Sequence, residues 1–318
     1  MKEIVIVKEQ SGQRLDKFLG KYLSQASMGF IYKMLRKKNI KLNDGKADGR
    51  EKLVPGDRIS LYFSEETLLT FHPTSAPDPD VSLALAKKPL QILYEDDNIL
   101  VLNKQRGLLS QKAKPADISL NELVAAYVGN SYEGVQAGIC NRLDRNTSGI
   151  VVAGKTIPAL QKMNELFRSR ELEKYYLAVV YGRFQEEGEK VSYLKKDRKN
   201  NQVQVFSEPL EGAERIQTGF QVLKTETWKG GPVTLLKVRL YTGKSHQIRG
   251  QCQAMGHPIV GDPKYAKKEP GVKGQMLHSY ELRFPPMDGD FQMLSERVFQ
   301  APPPDDLIQL IDMKGVRL

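Results

Sequence analysis

Hydrophobic and polar positions divide the chain into two patterned stretches separated by a polar, proline-bearing interval. After Gly12, the residues Leu15, Phe18, Leu19, Tyr22 and Leu23 recur at the spacing of one helical face. MGFIYKMLRKKNI predicts a second short helix with Ile31, Met34 and Leu35 inward and Arg36, Lys37 and Lys38 at its end. Asn43-Asp44-Gly45 is a turn signal, and LVPGDRISLYF reads as a strand opened by Pro55-Gly56-Asp57. FHPTSAPDPDVS, residues 71–82, carries three prolines and few large apolar side chains, which predicts a linker. Beyond it, QILYEDDNILVLNK predicts a hairpin around Asp96-Asp97-Asn98, NELVAAYV a short helix and GIVVAG a buried strand. IPALQKMNELFRSREL predicts a helix with Leu160, Met163, Leu166 and Phe167 inward. KYYLAVVYG and VTLLKVRLY read as strands, KSHQIRGQCQAMG as a helix, and Trp228 in ETWKGGP as the mark of a hairpin tip. Strands separated by helices of varied length, with no strict βαβ repeat and no internal repeat, fit an α+β fold with a mixed, largely antiparallel sheet. The expected organisation is a small α/β domain over 1–70, a linker over 71–87, a large domain over 88–300 and a C-terminal segment over 301–318.

Composition narrows the class. At 40% hydrophobic and 27% charged residues, the chain is that of a folded globular protein and carries no signature of disorder. No apolar stretch approaches the roughly 18 residues of a membrane span, and MKEIVIVKEQ reads as a charged strand rather than a signal peptide, so a cytoplasmic protein is expected. Cys140 and Cys252 lack the spacing of a disulfide framework or zinc site. The four histidines form no metal motif, and Cys252, His257 and His246 lack ligand spacing, so no metal is expected. The net charge of +10 favours a polyanionic partner. Residues 11–62 hold twelve Lys and Arg against five Asp and Glu, which makes the N-terminal stretch the expected nucleic-acid handle. Arg14-Leu15-Asp16, the Arg36-Lys37-Lys38 cluster and Gly56-Asp57, in that order across about fifty residues, resemble the S4-type RNA-binding domain. The resemblance implies RNA contacts through Arg14, Lys17, Arg36, Lys37 and Lys38.

Residues 149–156, GIVVAGKT, satisfy the phosphate-loop pattern GxxxxGK[ST]. A phosphate loop needs a backbone that can turn successive N–H groups inward, whereas Ile150-Val151-Val152-Ala153 is apolar and mostly β-branched and favours an extended strand. Nucleotide hydrolysis is rejected on that ground, and Lys155 and Thr156 read as the strand's exit.

NRLDRNTSGI, residues 141–150, sets Asp144 between Arg142 and Arg145 and follows it with turn residues and an apolar strand. An isolated RLDR is no more than a surface ion pair. A carboxylate at a turn that leads into a buried strand, however, can point into a cleft, and neighbouring arginines favour its ionised form. An ionised carboxylate in a cleft can attack an electrophilic carbon or stabilise an oxocarbenium ion, as glycosidases require. Asp144 is thus suited to work at a glycosidic carbon.

NRLDRNTSG resembles the HRLDxxTSG signature of the RluA-type RNA pseudouridine synthases. The likeness spans most of residues 88–286 through EDDNILVLNKQRGL, KYYLAVVYG, LYTGKSHQIRGQCQAMGHPIVGDPKY and MLHSYELRFP. It implies an enzyme that breaks the N1–C1′ bond of uridine, turns the base and forms a C5–C1′ bond, with RNA as partner, no cofactor and a monomeric chain. The target implied by an S4-bearing member is large-subunit ribosomal RNA. Residue by residue, Asp144 matches the essential aspartate, Tyr176 the tyrosine implicated as base for the C5 proton, and Arg249 the basic residue paired with the aspartate. Arg142 matches the arginine that fills the space of the flipped uridine, while Asn141, Thr147, His246 and Gln247 fall within the substrate-facing motifs. Tyr175 alternates to the other strand face. Asn141 stands where the family usually has His, and GQCQ at 250–253 replaces the common Val-His-Leu-Ala, departures expected to bear on which uridine is chosen. The competing class is a non-catalytic RNA-binding or ribosome-assembly protein that keeps the fold.

Overall fold

The computed structural model describes residues 1–71, 79–129, 134–197, 200–313 and 316. The N-terminal unit comprises β1 (Lys2–Val5), α1 (Leu15–Tyr22), α2 (Met28–Arg36), β2 (Ile40–Leu42), β3 (Gly45–Lys46) and β4 (Arg58–Leu61). Its sheet has the order β1-β4-β2-β3. All five apolar residues of the first helical face are buried, as are Ile31, Met34 and Leu35, and with Ile40, Ile59 and Leu61 they form a core of their own. Ser27 caps α2 by accepting the Phe30 N–H at 3.2 Å.

Two helices follow, α3 (Glu65–Phe71) and α4 (Pro79–Lys87). The stretch read as linker is therefore helical over 79–87, while its segment 72–78 lies outside the described residues. Pro79 opens this helix, where a missing N–H costs nothing. Val81 is buried, and α4 packs against α5 (Leu120–Val128).

The large sheet is built from β5 (Ile92–Glu95), β6 (Ile99–Lys104), β7 (Gly138–Ile139), β8 (Ser148–Gly154), β9 (Glu173–Tyr181), β10 (Gly188–Asp197), β11 (Gln202–Phe206), β12 (Glu214–Trp228), β13 (Gly231–Leu240), β14 (Leu277–Arg283) and β15 (Val298–Gln300). Its main path runs β11-β10-β12-β13-β9-β14-β8-β6-β5, with β7 beside β8 and β15 beside β14. Among the named strand pairs only β8–β14 is parallel. The fold is accordingly α+β with a largely antiparallel sheet. Trp228 faces Gly231 at the β12–β13 hairpin tip.

The helices are α6 (Ile157–Ser169), α7 (Gln247–Ala254) and α8 (Asp305–Leu310). In α6, Met163 and Leu166 are buried and Leu160 and Phe167 partly so. Leu307, Leu310 and Ile311 bury into the main core, so the C-terminal segment closes on the large domain, and Asp306 pairs with Arg106.

β8 is buried throughout and lies inside the sheet, between β14 and β6. Gly149 is the position where its parallel partner approaches: φ is +110°, and a Cβ there would lie 2.1 Å from the Ser279 carbonyl oxygen. The phosphate-loop lookalike is thus a core strand. Lys155 leaves it to reach Glu95 at 2.9 Å, and Thr156 caps α6 by accepting the Ala159 N–H.

Candidate active site

The segment leading into β8 is locked from below before any functional group is considered. Lys104, at the end of β6, is only 1% exposed. Its ammonium donates to the carbonyls of Gln105, Leu108 and Arg145 at 3.1, 2.8 and 3.1 Å. Burial pulls this amine down to about 7, while the Asp144 charge opposes the shift. Ser110 adds a second tie, donating to the Leu143 carbonyl at 2.8 Å and accepting its N–H at 3.0 Å. Thr147 N–H returns to the Asp144 carbonyl at 3.0 Å and closes the turn. Asp144 is therefore presented by a fastened turn, its side chain 29% exposed.

Arg249, on the buried face of α7, meets that carboxylate, with Nη1 donating to Asp144 Oδ2 at 2.6 Å. The rest of the guanidinium is held by Asp262, through Nε to Oδ2 at 2.7 Å and Nη2 to Oδ1 at 2.8 Å. Asp262 is fully buried and also accepts the N–H of Lys264 at 2.9 Å. Burial alone would favour loss of the arginine's proton, but Asp262 first and Asp144 second outweigh it and hold the guanidinium above its ordinary range. The bidentate pair makes Arg249 a fixed charge, and Asp144 is the variable end of the triad.

Tyr176 lies on β9, opposite Ser279 of β14. Burial pushes its phenol up to about 12; a hydrogen bond with Ser279 works against this and the Asp144 charge adds to it, so the resting group is protonated at neutral pH. Tyr175 points away and stacks among Lys237, Arg239 and Arg283. His246 caps α7 from a left-handed backbone with φ +55°. Its Nδ1 is 2.9 Å from the Tyr265 hydroxyl and its Nε2 is 3.8 Å from Asp144 Oδ2.

Asp144, Tyr176, His246 and Arg249 line one cavity of about 750 Å³. Asp144 is the only carboxylate among its described lining residues, against a rim that includes Arg142, Arg168, Arg170, Lys174, Lys196 and Lys244. Lys174 is partly buried, and that burial, with Arg170 nearby, lowers its proton affinity. The arrangement offers one carboxylate, a neutral phenol and a cationic rim, which suits a polyanion carrying an electrophilic carbon.

The structure gathers Asp144, Tyr176, Arg249, Arg142 and His246 around the cavity. Thr147 is buried and accepts from Gln275 at 3.2 Å. Asn141 turns its amide to the backbone, donating to the Ile150 carbonyl at 3.2 Å and accepting the Val152 N–H at 2.8 Å. Gln247 is likewise engaged, donating to Thr218 and the Gln217 carbonyl and accepting from Thr242 and the Lys244 N–H. Both amides thus fasten the cavity wall with their own hydrogen-bonding groups. The N-terminal candidates lie apart from the cavity: Lys17, Arg36, Lys37 and Lys38 are exposed, and Arg14 forks onto Asp16 at 2.6 and 3.1 Å. Lys104, Asp262 and Tyr265 were not singled out from the sequence; the Gly-Asp and Tyr of GHPIVGDPKY carried the signal for the last two. Among the described residues no group of His, Cys, Asp or Glu has metal-binding geometry, and no helix is long and apolar enough to cross a membrane.

A family model for RNA pseudouridylate synthase matches residues 98–254. The chain is 32% identical over 297 residues to an uncharacterized RNA pseudouridine synthase of Mycoplasma genitalium, covering 90% of each. It is 30% identical over 329 residues to ribosomal large subunit pseudouridine synthase D of an Escherichia coli O6:H1 strain, covering 97% of this chain and 92% of that one. In structure it resembles human RNA pseudouridylate synthase domain containing 4, with a TM-score of 0.58, 20% identity, and coverage of 75% of this chain and 97% of that one, a likeness of fold. A lone carboxylate at a basic cavity in this α+β fold suits an enzyme acting on a polyanion. The chain belongs to the RNA pseudouridine synthases of the RluA type, which are isomerases acting on RNA.

Proposed function

We propose that the protein isomerises specific uridines of large-subunit ribosomal RNA in the cytoplasm, as a monomer and without a cofactor, with Asp144 as its essential residue. The observation that carries this reading is the carboxylate of Asp144 at the cavity, held at 2.6 Å by an arginine that Asp262 fixes from behind. The relative named ribosomal large subunit pseudouridine synthase D supports the choice of RNA. The reaction balances within one nucleotide: the N1–C1′ bond breaks, the base turns, C5–C1′ forms, C5 loses its proton and N1 gains one. Asp144 serves at C1′, Arg249 holds it in place, and Tyr176, protonated at rest, gives its phenolic proton to N1 and takes the C5 proton in exchange. Flipping the nucleotide out of its stack costs a few kcal/mol. Arg142 fills the vacated space, and phosphate contacts help offset the cost.

In this reading, residues 1–70 are an S4-like RNA-binding unit using Arg14, Lys17, Arg36, Lys37 and Lys38, and residues 88–300 are the catalytic unit. Their separate cores and sheets support the division. Asn141, Thr147, His246 and Gln247 shape the substrate-facing wall.

The test incubates the protein and its Asp144→Ala variant with unmodified ribosomal RNA transcripts and maps pseudouridine by carbodiimide-primer extension. New stops that require Asp144 are expected, and their positions name the uridines. RNA binding without stops on transcripts, assembly intermediates or tRNA would replace this reading with that of a non-catalytic RNA-binding protein.

A further inference from the structure

The β10–β11 hairpin reaches the catalytic carboxylate through two side chains. Val203 of β11 donates its N–H to the Tyr265 hydroxyl oxygen at 2.7 Å. Its own phenolic hydrogen can then be given to His246 Nδ1, 2.9 Å away. An imidazole that accepts at Nδ1 carries its own hydrogen on Nε2, and Nε2 is the atom facing Asp144 Oδ2 at 3.8 Å. Arg249 already donates to this same Oδ2. Among the described residues Oδ1 has no hydrogen-bond partner, so the Arg249 hydrogen bond and the imidazole, which stands beyond hydrogen-bonding distance, both lie on the Oδ2 side. His246 adopts a left-handed backbone at φ +55°, a region that histidine enters more readily than most residues other than glycine.

We propose that His246 is a positioning residue for the reaction: locked by Tyr265 as the neutral Nε2–H tautomer, it turns Asp144 so that Oδ1, and not Oδ2, meets the sugar. The inference rests on the function proposed above. A chain of contacts, Val203 to Tyr265 to His246 to Asp144, then makes the seat of the β10–β11 hairpin part of the catalytic geometry. The hairpin itself borders the cavity at Lys196 and Asn201, where RNA would touch it. The groups facing the imidazole are Asp144, Arg249 on its own helix, and Asp262, Lys264 and Tyr265 from the loop after α7. Burial, Arg249 and Lys264 favour the neutral ring, while Asp144 and Asp262 favour the charged one.

The experiment compares wild type, Tyr265→Phe and His246→Asn, the second chosen because Asn tolerates the left-handed backbone. Long-range nitrogen–proton NMR of histidine-labelled protein reads the tautomer without RNA: the Nε2–H form is expected in wild type and a mixture in Tyr265→Phe. Single-turnover pseudouridine formation on ribosomal RNA transcripts is expected to fall about tenfold in each variant, the scale of a lost positioning contact, with RNA affinity within about twofold. Removing the hydroxyl that donates to Nδ1 makes the ring easier to protonate, so the acid side of the Tyr265→Phe rate profile should move to higher pH. A purely structural defect would lower the rate equally at every pH. That uniform loss, an Nδ1–H tautomer in wild type, or unchanged rates in both variants would overturn the positioning role. A wild-type protein that forms no pseudouridine overturns the proposed reaction itself and the role with it, and so is distinguished from variants failing beside an active parent.

Discussion

At the scale of single residues, the charges buried behind the cavity are fully engaged. Arg249 and Asp262 form a buried bidentate pair, and Lys104 spends its ammonium on three carbonyls. His278 takes the other route and stays neutral. It is fully buried; its Nε2–H donates to the Ala301 carbonyl at 3.0 Å, and its Nδ1 accepts from Ser148 at 2.9 Å. Burial holds this imidazole down at about 4, the Arg106 charge adds to the effect, and the bond to Ala301 opposes it. Because the folded value lies below the ordinary 6.5, the unfolded chain binds more protons between these values, and stability is lost as pH falls below about 6.5. Urea unfolding at pH 7 and pH 5 should show wild type losing about 2 kcal/mol that a His278→Gln variant does not lose. Equal losses in both would remove His278 as the source.

At the scale of elements, the regular periodicities were readable and the exceptions have local causes. α1, α2 and α6 followed from apolar spacing because each buries one face against a core. α4 was hidden because Pro79 and its polar neighbours read as breakers, although proline is at home in a first helical turn. Asp144, Tyr176 and Arg249 were legible through motif resemblance, but the uses of Asn141 and Gln247 were not, since they depend on backbone groups up to thirty residues away. The GQCQ departure also gains a reason. A Cβ on Gly250 would stand 2.5 Å from Val203 Cγ2, so glycine is what lets β11 lie on α7. Gln251 then accepts from Thr218 at 2.7 Å and donates to Ser192 of β10 at 3.2 Å. Gly250→Ala should gain about 1 kcal/mol of helix propensity but incur about 1–3 kcal/mol of overpacking. Thermal unfolding should show a net loss of stability; a more stable variant would mean that Val203 gives way freely.

At the scale of the whole molecule, the net charge of +10 is organised around two places, the cavity rim and the end of α2. They belong to units that touch at two places: Gln161 of α6 donates to the Gly12 carbonyl at 2.7 Å, and Lys8 pairs with Asp290, in the turn before β15, at 2.7 Å. The same helix ends at Phe167 and Arg168, which line the cavity, so it spans from the N-terminal unit to the site. RNA held by both units should release counterions at both, while chemistry at saturation depends on the cavity alone. Replacing Arg36 and Lys37 by Gln and Lys38 by Asn should therefore weaken RNA binding and flatten its salt dependence. Three lost phosphate contacts amount to a decrease of about 2 to 3 in the slope of log affinity against log salt. Filter binding over about 50 to 200 mM salt measures the slope, and single-turnover rates at saturating protein measure the chemistry. An unchanged slope would take the α2 terminus out of the RNA footprint; a lower saturated rate with an unchanged slope would instead give it a part in setting the cavity.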